Sequence, residues 1–217
     1  MILVEGDAER FLLPALATLH DPAMDFDALG ISVCSIAGTN FGPYVQLLCP
    51  QGLDIPFVVL TDFDPKGERG IQEDADPEAD FGKSYGKNRV VNQIMVRLVD
   101  EKDWGKLSFD QVMKKAPDCG VFLNDYTFEV DLFRQGTEDE FAQAMKELTE
   151  NKLMHKRFDE LSEHPEKLEP KQFLKDINSV GKGRLAQRLA SLFTAEGTDV
   201  CPPYIKAALD YMKAKLA

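Results

Sequence analysis

Two aspartates with one residue between them, Asp62 and Asp64, follow directly on an apolar run in the segment FVVLTDFDPKG. Side chains two residues apart on an extended strand share one face, so these carboxylates are expected to lie close together. Two negative charges at that distance repel each other unless a positive charge lies between them. The spacing therefore indicates either a divalent cation held by both carboxylates or an aspartate that attacks a phosphate.

Further carboxylates follow other β-rich runs of the chain. Glu5 comes directly after the apolar residues ILV near the start of the chain, and Glu9 lies four residues beyond it. Residues four apart share one face of a helix, so both carboxylates can point the same way. A later acidic stretch contains Asp125, Glu129 and Asp131. Each acid alone is more often a surface residue, but several hard oxygen ligands together favour Mg²⁺, Mn²⁺ or Ca²⁺.

The elements that must position these acids alternate between strands and helices. Apolar and β-branched runs predict strands at 2–4, 30–38 and 55–64, and a further β-rich run lies at 119–133. Helical spacing follows the first strand, and helices are also predicted at 40–52 and 88–100. This alternation predicts an α/β fold with a parallel sheet, in which binding sites form at the carboxyl ends of the strands.

The second part of the chain has a helical pattern. Thr137 with Glu140 three residues later predicts a capping box. The segments GKGRLAQRLASLF and PPYIKAALDYMKAKLA predict two more helices, and the polar stretch at 65–86 predicts a long loop. We therefore expect an α/β core over residues 1–135 and a helical subdomain over residues 136–217.

Composition restricts the class of protein. The net charge of −12 over 217 residues lacks the overall basic character of most nucleic-acid-binding proteins, although basic residues cluster in KSYGKNR, HKR and GKGR. The sequence has no apolar run long enough to cross a membrane and no secretion signal at its start. Four cysteines without paired spacing and only three histidines make a zinc site unexpected and favour a reducing, cytoplasmic location.

An ordered set of segments resembles a known family. VEGDAERFLLP, GISVCSIAGTNF and VVLTDFDP resemble the Toprim domain, which has Glu-Gly after its first strand and Asp-x-Asp after a later one. More closely, EGDAERFLLP, AGTNF, TDFDP, TFEVDL and GKGRLAQRLA resemble, in this order, the C-terminal nuclease region of OLD (overcoming lysogenization defect) family endonucleases. The resemblance covers most of the chain and implies a Toprim (Rossmann-like) fold, with a mostly parallel sheet flanked by helices and a C-terminal helical subdomain.

The resemblance also implies a function. It implies an endonuclease that hydrolyses DNA with Mg²⁺ or Mn²⁺ by a two-metal mechanism, whereas Ca²⁺ is expected to bind without supporting catalysis. Lys182 is implied to complete the catalytic site beside Glu5. The residues implied to bind metal are Glu5, Glu9, Asp62, Asp64, Glu129 and Asp131. Weaker contacts with nucleic acid are expected from Lys83, Lys87, Arg89 and Arg184.

OLD proteins also carry an N-terminal ABC-type ATPase domain. This sequence contains no Gly-x-x-x-x-Gly-Lys-Ser/Thr phosphate-binding loop, because SVGKGR lacks the upstream glycine and the hydroxyl residue. We therefore expect the chain to be the nuclease part of a longer protein.

Other interpretations stay open at this point. A haloacid-dehalogenase-type phosphatase would use Asp62 as nucleophile and Asp64 as acid and base, although its motif usually opens the fold. A Toprim-like domain can also be a non-catalytic interaction module. Tyr85 or Tyr126 could act as a covalent nucleophile, as in a topoisomerase, but no motif marks either residue. Without the family resemblance, Lys182 would be a solvated residue at the start of a helix or a nonspecific phosphate contact.

Overall fold

A parallel sheet lies at the centre of the computed structural model, which describes residues 1–65, 84–193 and 200–216. Within these ranges the sheet has four strands, with the spatial order β2-β1-β3-β4 and every neighbouring pair parallel. Their bounds are β1 (Ile2–Val4), β2 (Val33–Ser35), β3 (Val58–Thr61) and β4 (Val121–Leu123). The order places the carboxyl ends of β1, β3 and β4 side by side.

Helices follow the strands and cover both faces of the sheet. The first part of the chain forms α1 (Asp7–His20), α2 (Gly42–Leu48) and α3 (Tyr85–Arg89), which continues through a π-helical stretch (Val90–Met95) into α4 (Val96–Leu98). Short helices α5 (Glu101–Trp104) and α6 (Phe109–Lys115) precede β4. The chain then forms α7 (Phe128–Phe133), α8 (Glu138–Leu148), α9 (Lys152–Glu163), α10 (Pro170–Val180), α11 (Lys182–Leu192) and α12 (Pro203–Leu216). Of the helices described, none is long and apolar enough to cross a membrane.

Strand residues alternate between two apolar cores, one on each face of the sheet. Leu3 and Val59 belong to the core that contains residues of α2, the π-helical stretch and α6. Ile2, Val4 and Val58 belong to the larger core, which contains residues of α1 and of α7 to α12. A strand buried on both faces shows a continuous apolar run, as β1 and β3 do. The C-terminal helices therefore help to bury one face of the sheet, and the domain boundary at residue 135 stays a prediction.

The predicted α/β fold with a parallel sheet is confirmed, but several elements differ from their predicted extent. Strands β2 and β3 are shorter than predicted, and only Val121–Leu123 of the β-rich run at 119–133 is a strand. The end of that run forms α7, in which all six residues are buried. Because every position of α7 is buried, the sequence shows no amphipathic helical period there.

The predicted loop and capping box also differ from the structure. Residues 66–83 of the predicted loop at 65–86 lie outside the described residues. The last two residues of the predicted loop belong to α3, which begins at Tyr85. Thr137 precedes α8 as predicted, but the predicted capping box is wrong. The side chain of Thr137 accepts no hydrogen bond from the N-terminus of α8, and its hydroxyl instead donates to the carbonyl of Leu132 at 2.9 Å.

Candidate active site

Buried acidic side chains gather at the carboxyl edge of the sheet. Glu5 follows β1 and Asp62 follows β3, while Glu9 reaches the same edge from the first turn of α1 and Glu129 from the first turn of α7. Apart from Glu5, each of these side chains is less than 9% exposed. The topology accounts for the gathering, because β1 pairs directly with β3 and β3 with β4.

The carboxylate of Asp62 is held in one orientation by β4 and α7. Its Oδ1 accepts a hydrogen bond from Nδ2 of Asn124 at 2.6 Å and another from the backbone N–H of Phe128 at 2.9 Å. Asn124 in turn accepts a hydrogen bond from the backbone N–H of Phe63 at 2.6 Å through its Oδ1. The side chain of Asn124 therefore joins the ends of β3 and β4 and fixes the acid between them.

Glu5 is held by the end of the neighbouring strand and by an arginine. Its Oε1 accepts hydrogen bonds from the hydroxyl of Thr61 at 2.7 Å and from the backbone N–H of Asp62 at 2.9 Å. The guanidinium group of Arg89 forms an ion pair with Glu5 and donates to Oδ2 of Asp64 at 2.9 Å. Arg89 is only 6% exposed. The structure therefore corrects its predicted place on a DNA-facing surface, because its charge is used inside the acidic cluster.

The close packing of α3 against the Asp-x-Asp backbone brings Arg89 to these acids. A Cβ atom built on Gly86 would lie 1.9 Å from the carbonyl oxygen of Asp62, so only glycine fits there without a shift of the backbone. The backbone N–H groups of Tyr85 and Gly86 donate to the carbonyls of Asp64 and Phe63, each at 3.0 Å. Asp64 itself has a φ of 50°, in the left-handed region that few non-glycine residues adopt.

Lys182 approaches the cluster from the first residue of α11. Its Nζ lies 2.8 Å from Oε1 of Glu129, and its side chain is 36% exposed. The other carboxylate oxygen of Glu129, Oε2, is buried and has no hydrogen-bond partner. Lys182 reaches the site because α11 packs along α1, where Gly183 lies against Phe11 and Asp7. The lysine therefore links the cluster to solvent.

The cluster has an excess of negative charge that shifts the pKa values of its members. Burial, together with the charges of Glu5, Glu9 and Glu129, raises the pKa of Asp62 well above its ordinary value. Burial and the charge of Glu129 raise the pKa of Glu9 to about 8. Burial is the largest influence on Lys182 and opposes its protonation, but the charge and hydrogen bond of Glu129, together with the charges of Asp62 and Glu9, raise the pKa of the lysine. A proton or a cation is therefore needed to relieve the repulsion.

Asp131 makes different contacts from the acids around Asp62, and its predicted role as a metal ligand stays a prediction. Its Oδ2 accepts hydrogen bonds from the backbone N–H groups of Asp125 and Tyr126, at 2.9 and 3.0 Å. Burial raises the pKa of Asp131 to about 6, although the hydrogen bond from Asp125 opposes this. Asp125 itself is exposed. The structure thus uses Asp131 to close the loop between β4 and α7.

The remaining predicted site residues are the basic side chains and the two tyrosines. Lys83 lies outside the described residues. The ammonium group of Lys87 lies 5.6 Å from the centre of the Phe63 ring, and Arg184 is exposed. The hydroxyl of Tyr126 is buried and has no hydrogen-bond partner, which does not favour its use as a covalent nucleophile.

Sequence reasoning missed several side chains of the site. Asn124 could have been found, because it directly follows a β-rich run, as Asp62 does. Thr61 carries no motif that marks it, and Arg89 was predicted only as a weak contact with nucleic acid, without its pairing with Glu5 and Asp64. Tyr204, in the first turn of α12, forms a hydrogen bond with Asn124, and burial together with the charges of Asp62 and Glu9 raises its pKa well above the ordinary value. No spacing in the sequence connects this tyrosine with the acids.

The donor atoms of the cluster suit a hard divalent cation. Glu9, Asp62 and Glu129 supply carboxylate oxygens, and the partnerless buried Oε2 of Glu129 is the observation that a cation would explain. Over residues 1–65, 84–193 and 200–216, no three acidic, histidine or cysteine side chains already surround one point in the manner of a metal site. The chemistry of the side chains therefore fits a metal ion, and binding would require them to turn toward it.

Comparisons with known proteins identify the family of the chain. The sequence profile of the family described as "Overcoming lysogenization defect protein-like, TOPRIM domain" matches residues 1–64. The C-terminal region of the Burkholderia pseudomallei OLD protein has 36% identity and a TM-score of 0.82, over 100% of this chain and 97% of that one. The C-terminal region of the Xanthomonas campestris pv. campestris OLD protein, phased with iodine, has 35% identity and a TM-score of 0.78, over 99% and 94% of the two chains.

No curated protein is significantly similar to the chain. The two structural relatives are described as C-terminal regions, which implies that a further N-terminal part exists in those proteins. Identity above one third over nearly the whole of both chains, together with the Toprim match at the first three strands, confirms the family expected from the motifs. The chain therefore belongs to the OLD protein family and corresponds to its C-terminal region, which contains a Toprim domain.

Proposed function

We propose that this chain is the nuclease region of a longer OLD protein and hydrolyses DNA phosphodiester bonds with a divalent metal ion. The observation that carries the proposal is the buried group of Glu9, Asp62 and Glu129, which faces Lys182 at the carboxyl edge of the sheet. Mg²⁺ or Mn²⁺ would support the reaction, and Ca²⁺ would bind without supporting it. The same family membership makes a nuclease more plausible than the phosphatase suggested by Asp-x-Asp alone.

The residues of the chain have distinct tasks in this proposal. Glu9, Asp62 and Glu129 would hold one ion, and Glu5 and Asp64 provide the carboxylates for a second. Divalent ions in such a site lower the pKa of a bound water and stabilise the attacking and leaving oxygens of the phosphate. Asn124 and the N–H of Phe128 keep the carboxylate of Asp62 in place. Lys182, which is partly exposed, offsets the negative charge that develops on the phosphate.

Two contacts of the Asp-x-Asp pair argue against the phosphatase alternative. Oδ1 of Asp62 already accepts two hydrogen bonds, which suit a fixed ligand better than a nucleophile. Oδ2 of Asp64 is held at 2.9 Å by the buried guanidinium of Arg89, so this oxygen is engaged inside the protein and does not face a substrate. Trapping with beryllium fluoride, which forms a stable complex with a nucleophilic aspartate, is therefore expected to fail.

The net charge of −12 suggests that this region alone binds DNA weakly. Lys87 and Arg184 provide basic side chains for contacts with DNA, and the N-terminal part of the full protein would supply the remaining affinity for DNA. We propose that this part is the ABC-type ATPase domain of OLD proteins. The proposal fits the description of the structural relatives as C-terminal regions.

Nicking of supercoiled plasmid in Mg²⁺ or Mn²⁺ tests the proposed function. Asp62→Asn keeps the size and one acceptor oxygen of the side chain but removes its charge, so we expect a loss of at least about 100-fold. Asp125→Asn, which changes an exposed carboxylate nearby, is the matched control and should cut normally. Circular dichroism verifies that both variants fold. Full cleavage by a folded Asp62→Asn protein would contradict the proposal.

A further inference from the structure

Arg89 divides the acidic cluster into two parts that differ in charge. The first part consists of Glu5 and Asp64, both of which form ion pairs with the buried guanidinium group. The second part consists of Glu9, Asp62 and Glu129, and its cation is Lys182. Among the described residues, the first part thus has two carboxylates paired with the buried Arg89, while the second has three carboxylates beside the partly exposed Lys182.

The cation in the first part cannot be removed by deprotonation. An arginine keeps its proton at any pH a folded protein tolerates, and its planar fork matches two acceptors at fixed positions. Arg89 also contacts the hydroxyl of Thr61, so the guanidinium is held from several sides. A metal ion that approaches Glu5 and Asp64 therefore meets a positive charge that must first move, whereas the second part attracts it directly.

We infer that Arg89 is a positioning residue that imposes an order on metal binding. The first divalent ion binds between Glu9, Asp62 and Glu129. A second ion binds at Glu5 and Asp64 only when Arg89 withdraws from them. This inference rests on the proposed function, because it concerns the metal ions of the same site.

A purely structural role for Arg89 predicts something different. Glu5 keeps two further hydrogen-bond donors without the arginine, namely the hydroxyl of Thr61 and the backbone N–H of Asp62. Loss of Arg89 therefore leaves Glu5 oriented. If Arg89 only stabilised the fold, its replacement would lower stability and leave the relative affinities of the two metal positions unchanged.

Mn²⁺ titration of the DNA-free chain, followed by the electron paramagnetic resonance signal of unbound Mn²⁺, tests the order directly. For the wild type we expect one tight ion and a second that binds at least about tenfold more weakly. Arg89→Gln removes the competing charge and should strengthen the weaker position by about 10- to 100-fold. A single ion in the wild type that is joined by a second in Arg89→Gln supports the same order.

Two further variants make the test specific. Arg89→Lys keeps the charge without the fork, so the weaker position should stay weak. If Arg89→Gln does not fold, two equal positions in the wild type remain the outcome that would overturn the order. Lys182→Met removes the cation of the other part and should tighten the first position without changing the second. Two equal positions in the wild type would overturn the inference, as would an unchanged second position in a folded Arg89→Gln protein.

The outcome is separable from that of the proposed function. Ordered binding of two ions by a protein that does not cut DNA would contradict the nuclease proposal and leave the role of Arg89 intact. Metal-dependent cleavage by a protein whose two metal positions have equal affinity would support the nuclease proposal and contradict the role of Arg89.

Discussion

Lys182 and Glu129 form an ion pair of 2.8 Å that joins the start of α11 to the start of α7. The same glutamate directs its second oxygen, which is buried and has no hydrogen-bond partner, away from solvent. One side chain thus contacts a lysine that reaches solvent and belongs to a cluster that needs a cation. In the proposed nuclease, this pair places the lysine beside the position where the phosphate would bind.

Replacement of Lys182 should reduce the rate of cleavage more than the affinity for DNA. Lys182→Met removes the charge that offsets the developing phosphate charge, and loss of one such group costs on the order of 10²–10³ in kcat. Lys213→Met is the control, because this lysine of α12 forms an exposed ion pair with Asp21. Single-turnover nicking and DNA-binding titrations separate the two effects. A weaker affinity with an unchanged rate would show that Lys182 is only a phosphate contact.

The stability of the metal-free protein should depend on the ionisation of Glu9. Burial and the charge of Glu129 raise its pKa from 4.5 to about 8, so the folded state binds this proton more tightly than the unfolded state. The stabilisation is complete below about pH 4.5 and is lost as the pH rises through about 8. Glu9→Gln removes this dependence.

Chemical denaturation in EDTA checks the effect of Glu9. Between pH 5 and pH 8, the stability of the wild type should fall relative to that of Glu9→Gln by up to about 1.4 kcal/mol per pH unit. Addition of Mn²⁺ should restore the stability of the wild type at high pH and should raise the stability of Glu9→Gln less. Parallel pH profiles for the two proteins would contradict the assignment.

The contact between α3 and the Asp-x-Asp backbone should not tolerate a methyl group. In Gly86→Ala the new Cβ would lie 1.9 Å from the carbonyl oxygen of Asp62, so the backbone must move. We expect a loss of about 1–3 kcal/mol in the free energy of unfolding, together with weaker Mn²⁺ binding. Gly105→Ala is the matched control, because a Cβ on Gly105 meets no atom within 4 Å and its φ is −68°. Equal effects of the two substitutions would contradict this account.

Asp131 and Glu129 should respond in opposite ways to removal of their charge. Asp131→Ala leaves the N–H groups of Asp125 and Tyr126 without their acceptor, which should cost about 1–3 kcal/mol in the free energy of unfolding with little change in Mn²⁺ affinity. Glu129→Gln should weaken Mn²⁺ binding with little loss of stability. Calorimetric titration and thermal unfolding of both variants distinguish a metal ligand from a residue that closes a loop. A strong loss of metal binding in Asp131→Ala would restore its predicted role as a ligand.

The part of the site that could be predicted follows from the topology of the sheet. Glu5 and Asp62 each end a run that is apolar at every position, and parallel strands end at the same edge. That reasoning needs only local pattern and a general rule. Glu9 was also expected at this edge, but α1 begins only at Asp7, so Glu5 lies before the helix and Glu9 reaches the edge from the first helical turn.

The part that could not be predicted depends on contacts between distant segments. Arg89 lies in the basic segment KSYGKNR, which by composition belongs to the surface, and arginine is rarely buried without a partner. Its burial depends on Gly86, which lets α3 approach β3 closely enough for the pair with Glu5 to form. Glu129 was named from its acidic stretch and the family resemblance, but its helix could not be predicted, because complete burial hides the helical period. Tyr204 reaches the site from the last helix, and only the tertiary fold determines that position.

The hydrogen bonds from Thr61 and Asp62 to Glu5 have a consequence for biosynthesis. They continue the pairing of β1 with β3 beyond the last backbone partners, through the side chain of the acid itself. More than fifty residues separate the two strands, so the contact forms only after the chain has folded back on itself. An unfinished or misfolded chain therefore has no assembled centre. In the proposed nuclease, cleavage would therefore begin only once β1 and β3 have paired.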